Sequence, residues 1–193
     1  EQAAHAGCLS LVEVGPARRQ ARPDEIVIGL SPAFATTLWQ SLSGLTVAEV
    51  LRQVLAGIEE EGMAARLVRV LRSIDVGNIG WTAAKLSGSG IGIGLQAKGT
   101  AVIHRRDRLP HNNLELFSNA PITSLDHYRG LGANAAIYAR GEMPEPVVVP
   151  MLGQAMGSRY HARVALIYAI ETGLTSEGAE PEAVEVEFLG AKS

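Results

Sequence analysis

A strand with glycine at every second position can be buried on that side only if something else comes very close. This chain carries such a strand. Between Leu86 and Phe117 it reads LSGSGIGIGLQAKGTAVIHRRDRLPHNNLELF, with Gly88, Gly90, Gly92, Gly94 and Gly99 around a single lysine, Lys98. Glycine costs chain entropy in a strand and offers nothing to pack, so the pattern implies close approach by another backbone or by a ligand. It is not a dinucleotide fingerprint, which needs G-x-G-x-x-G between a first strand and a helix. Here the glycines enter a strand late in the chain, and no Walker A motif is present. The expectation is a glycine wall facing a ligand.

The elements around this wall follow from periodicity and end signals. Residues 1–24, with Pro16, Pro23 and the cluster Arg18, Arg19 and Arg22, read as a flexible lead-in. Glu25–Leu30 (EIVIGL) is a short apolar run suited to a buried strand. Thr46 followed by Glu49 is a capping box for a helix to Glu61. Its stripe is Val47, Val50, Leu51, Val54, Leu55 and Ile58, and Gly62 stands where a terminating glycine belongs. Ala65–Leu71 alternates as a strand, and Asp75 is placed to cap a helix through Trp81 to Lys85. Ile91–Gln96 and Thr100–His104 are strands about the turn Ala97-Lys98-Gly99. Thr123 or Ser124 caps a helix to Ala139. Met143–Met156 is proline-rich and irregular, and Arg163–Thr172 with Val184–Leu189 read as two strands joined by a polar turn. Alternating strands and helices imply an α/β layered domain with a mostly parallel sheet, over residues 25–193 with a C-terminal β extension.

Composition narrows the function. A net charge of -3 gives no argument for nucleic acid, and no apolar run is long enough to span a membrane. The lone cysteine, Cys8, cannot form an internal disulfide and fits a reducing, cytoplasmic compartment. His5, His104, His111, His127 and His161 show no metal-ligand spacing. No serine lies in G-x-S-x-G, and the triplet Glu59-Glu60-Glu61 reads as a solvated face or a contact for a basic partner. Asp75, at the carboxyl end of a strand, and Lys98, in a glycine turn, are candidate ligand residues. A plain cap and a solvated lysine are the alternatives. Catalytic and metal-binding residues are expected to be absent.

Four stretches carry a resemblance. LAGIEEEGMAARLVRVLRSIDV, LSGSGIGIGLQAKGTAVIH, NLELFSNAP and the pattern at Tyr128–Arg140 resemble the medium (beta) subunit of adenosylcobalamin-dependent diol and glycerol dehydratases, from about Asp24 to Leu189. The resemblance implies a Rossmann-like domain that covers the lower face and nucleotide tail of base-on cobalamin. It implies a lyase in which a large TIM-barrel subunit holds the catalytic residues, with a small subunit completing a dimer of heterotrimers. It assigns cofactor contacts to Asp75, Val76, Lys98 and Asn113, with Ser87 and Gly88 opening the glycine face. Asp126-His127 lacks the D-x-H-x-x-G spacing of proteins that replace the lower cobalamin ligand, which agrees with base-on binding. No shell-targeting extension is visible, so the chain does not indicate a microcompartment. A reactivating factor is a further expected partner. The alternative is the small, chaperone-like subunit of that factor, which should lack both the glycine wall and the NLELF loop.

Overall fold

EIVIGL becomes the buried centre of the molecule, with every residue of β2 (Glu25–Leu30) shielded from solvent. The computed structural model describes residues 9–118, 120–150 and 157–189. Around β2 lie β1 (Ser10–Pro16), α1 (Val47–Glu60), β3 (Ala64–Arg69), α2 (Val76–Leu86), β4 (Ile91–Leu95) and β5 (Ala101–Arg105). β6 (Glu115–Phe117), a 3-10 turn at Ala120–Ile122, α3 (Leu125–Ala139), α4 (Gly157–Gly173) and β7 (Glu182–Glu187) complete the chain order. Cys8, His5 and the end of the irregular stretch, residues 151–156, lie outside the described residues.

The strands form one sheet in the order β1-β7-β3-β2-β4-β5-β6. Only β3–β2 and β2–β4 are parallel, and the other four pairings are antiparallel. The expected mostly parallel sheet is therefore corrected to a mixed one with a parallel centre. The reason is local: the turn between β4 and β5 is too short for a crossover, so β5 must return antiparallel.

Two further expectations change. Within the stretch expected as a lead-in, Ser10–Pro16 is a strand, paired antiparallel with β7. Arg163–Thr172 is helical within α4, so the C-terminal β extension reduces to β7. That strand lies between β1 and β3, inside the sheet.

Alternation along the central strands assigns the two faces. Ile26, Ile28, Leu30, Ile91, Ile93 and Leu95 join one core with α1 and α3, while Val27 and Val68 meet Ile79 and Ala83 of α2 on the other side. The α1–α3 contact is close enough that a Cβ on Gly57 would sit 2.0 Å from the Arg129 carbonyl oxygen. At the N-terminus of α1 the capping box forms, with Glu49 N donating to Thr46 Oγ1 at 3.1 Å and Thr46 N to Glu49 Oε2 at 2.8 Å. Glu60 and Glu61 of the acidic triplet pair with Arg129 and Arg140, joining α1 to the α3 end of the chain. Such exposed pairs add ~1 kcal/mol at most.

The glycine face belongs to α2. A Cβ on Gly92 would lie 2.2 Å from Ala84 N, and one on Gly94 would lie 2.5 Å from the Val76 carbonyl oxygen. Another backbone, not a ligand, is what comes close. The expected ligand-facing wall at Gly92 and Gly94 is corrected to a helix seat.

Candidate functional site

The carboxyl ends of the three parallel strands face one edge of the molecule, where open α/β sheets bind ligands. Each contributes a loop: Ser31–Ala33 after β2, Ile74–Val76 after β3 and Gln96–Lys98 after β4. A cavity of about 560 Å³ opens there, with Asp75, Val76, Gln96, Lys98 and Thr100 on its walls. Leu116 and Ser118, from β6 and the residue beyond it, and Tyr168 of α4 line the remainder. The volume is in the range of small-molecule sites.

The turn that presents Lys98 is held from three sides. Gln96 N donates to the Thr100 carbonyl at 2.9 Å, and Leu42 N donates to the Lys98 carbonyl at 3.0 Å. The buried Tyr128 hydroxyl donates to the Gly99 carbonyl at 2.7 Å. Gly99 has φ +103, and a Cβ there would meet that hydroxyl at 2.7 Å, so glycine is required.

Lys98 itself is 5% exposed. Its Nζ donates to Thr100 Oγ1 and lies 5.7 Å from the centroid of the Tyr168 ring. Among the described residues no carboxylate pairs with it. Burial pulls its pKa down to about 8. Beside it, Gln96 Nε2 donates to the Ile74 carbonyl, while the buried Gln96 Oε1 has no partner within bonding distance. The Tyr168 hydroxyl lies near enough to the Gln96 amide to interact with it, and burial raises the Tyr168 pKa. Asp75 caps α2, its Oδ1 accepting from Asn78 N at 2.8 Å. A buried amine with no carboxylate partner among the described residues and an amide oxygen with no hydrogen-bond partner, in one cavity, suit a ligand rich in amides and bearing an anionic group.

Of the six residues expected as cofactor contacts, Asp75, Val76 and Lys98 come together in this cavity. Ser87 and Gly88 lie at the amino end of the parallel strands, with β4 between, roughly 16 Å of strand. There Ser87 Oγ donates to the Glu25 carbonyl at 2.7 Å, and Gly88 packs on the Arg22 backbone. Asn113 precedes β6, and the loop before it packs on the first turn of α2, where a Cβ on Gly77 would lie 2.4 Å from the Pro110 carbonyl oxygen. Gln96, Thr100 and Tyr168 are residues that sequence reasoning missed. The first two flank Lys98 at two residues' distance and were legible in Q-A-K-G-T. Tyr168 was hidden by the reading of its segment as a strand.

α4 carries Tyr168 to the site and is tied down by one buried carboxylate. Ser31 Oγ donates to Glu171 Oε1 at 2.5 Å, and Ala33 N donates to Glu171 Oε2 at 2.7 Å. Glu171 is the buried residue among the described side chains of α4, whereas Leu166 is 63% exposed. Burial pushes the Glu171 pKa above the ordinary carboxylate range, against the pull of its donors and of Arg69. A folded-state pKa above the unfolded one means the fold binds the proton more tightly. The stability of this tie therefore falls as pH rises through that window and grows as pH drops through it. Amide exchange in α4, corrected for intrinsic rates, should be slower at pH 5 than at pH 8. Faster exchange at pH 5 would reverse the assigned sign.

Fold and cavity together define an α/β chain with a cavity of small-molecule size at the carboxyl edge of its parallel strands. A family profile described as dehydratase medium subunit matches residues 31–145. The chain belongs to the dehydratase medium subunit family. A solved structure titled glycerol dehydratase reactivase is similar at 23% identity and a TM-score of 0.50, over 61% of this chain and 92% of that one. A structure of a diol dehydratase-reactivating factor complexed with ADP and Mg2+ is similar at 23% identity and a TM-score of 0.48, over 67% and 97%. At this identity the first likeness speaks for the fold alone.

Proposed function

We propose that this chain is the non-catalytic medium subunit of an adenosylcobalamin-dependent diol or glycerol dehydratase, a cytoplasmic lyase that converts a 1,2-diol or glycerol to an aldehyde and water. The observation that carries the reading is the buried, uncompensated Lys98 amine beside the unpaired Gln96 oxygen, in a family whose members are dehydratase subunits. Bound adenosylcobalamin supplies the radical that begins the dehydration. This chain's residues bind and orient it. Lys98 offsets a phosphate charge or donates to an amide oxygen, Gln96 Oε1 accepts from an amide N–H, and the Asp75–Val76 turn walls the site. Of the contacts suggested by the resemblance, the proposal uses Asp75, Val76 and Lys98. Ser87 and Gly88 are engaged with Glu25 and Arg22, and the proposal gives Asn113 no role.

The cavity is open on one side and takes the edge of a large ligand, so a large subunit is needed to close it. A small subunit would complete a dimer of heterotrimers. Co-expression with both subunits, size exclusion and cobalamin titration by visible absorbance test this. Stoichiometric base-on cobalamin in a complex containing the chain is the expected result. A chain that joins only an ATPase-like partner, and leaves cobalamin free, belongs instead to a reactivating factor.

A further inference from the structure

The chain has only three lysines, Lys85, Lys98 and Lys192, against fourteen arginines. Arginine stays charged in any surroundings, whereas a lysine amine can become neutral and nucleophilic. One of these few lysines is buried at the wall of a cavity, and among the described residues a hydroxyl is its one hydrogen-bond partner. We propose that Lys98 captures short aldehydes that enter the carboxyl-edge cavity, forming an imine on its Nζ.

The reaction needs nothing beyond the two partners. The Nζ lone pair forms a C–N bond to the carbonyl carbon while the carbonyl π pair moves to oxygen. Both nitrogen protons pass to that oxygen in turn, water leaves, and a C=N bond remains. The neutral walls Ile74, Val76 and Leu116 favour the uncharged amine and shield the imine from water. The other ionisable groups facing the cavity are Asp75 and Tyr168. Asp75 makes no ion pair with Lys98, and its Oδ1 already caps α2. With the amine at about 8, a large share is neutral at pH 8. Lys85, exposed and stacked 3.2 Å from the Trp81 ring centroid, has no such burial.

The choice of aldehyde rests on the proposed dehydratase reading, since that lyase would release one. The chain is treated with propanal and cyanoborohydride at pH 8, with and without prior cobalamin in the subunit complex, and the modified peptides are quantified by mass spectrometry. Alkylation at Lys98 should exceed that at Lys85 by about tenfold or more, and Lys98→Arg should lose it. Equal or lower labelling at Lys98 overturns the inference and leaves the cofactor reading standing. Strong labelling that cobalamin does not suppress supports the inference and removes Lys98 from the cofactor site.

Discussion

Gly92→Ala should destabilise the chain by about 3 kcal/mol, at the upper end of what overpacking costs. The new Cβ would stand 2.2 Å from Ala84 N and 2.6 Å from the Ala83 carbonyl carbon, and both are backbone atoms of α2. A flexible side chain could swing aside, but a helix must lift as a unit. Lifting α2 would break its seat on Gly94, where a Cβ would lie 2.7 Å from the Gly80 amide nitrogen, and would loosen Ile79 over Gly29. It would also draw the Asp75–Val76 turn away from the cavity, so site and fold should fail together. Gly173→Ala is the control: it has nothing within 4 Å and should change stability by roughly half a kcal/mol or less. Urea midpoints of the two variants decide the matter. An unchanged midpoint for Gly92→Ala would mean that α2 is not fixed by the glycine face.

The same glycines show what a sequence can and cannot tell. Alternation in IGIGL gives a strand with one isoleucine face and one bare face, and that is what β4 is. Whether a ligand or a backbone fills the bare side depends on where α2 lands, which one strand's pattern does not contain. Local signals fared well where the partner is local. Thr46 and Glu49 close their box within one turn, and Asp75 caps the helix that it begins.

Long-range partners were less legible. SLVEVGP becomes β1 only because EAVEVE, about 170 residues later, lies beside it, with Ser10 opposite Glu187. VALIYAI reads as a strand by its β-branched and aromatic content, yet it is helical and largely exposed, tied by Glu171. The site divides the same way. Asp75 and Lys98 could be placed because strand-end loops share an edge, whereas Tyr168 reaches that edge through α4 and no spacing announced it.

Lys98→Met should stabilise the chain at neutral pH while weakening cobalamin binding in the assembled complex. A shift from 10.5 to about 8 corresponds, at 1.36 kcal/mol per unit, to a penalty of up to about 3 kcal/mol for carrying the charged amine in the fold. The sign follows from a base whose folded pKa lies below its unfolded one. Below pH 8 the unfolded chain binds the proton more readily, so the penalty is full. Between pH 8 and 10.5 the folded amine is already neutral, and the penalty fades. Wild-type stability should therefore rise across that window relative to the variant. Methionine fills a similar volume without charge, and the loss of one hydrogen bond to Thr100 offsets only part of the gain. A residue that weakens the free chain is kept for what it does when a ligand arrives, the pattern expected of a binding site and not of a structural lysine. The paired measurement is urea stability of the chain at pH 7 and cobalamin affinity of the complex. Higher stability with affinity lowered tenfold or more fits a ligand-binding amine. Lower stability with unchanged affinity would make Lys98 part of the scaffold alone.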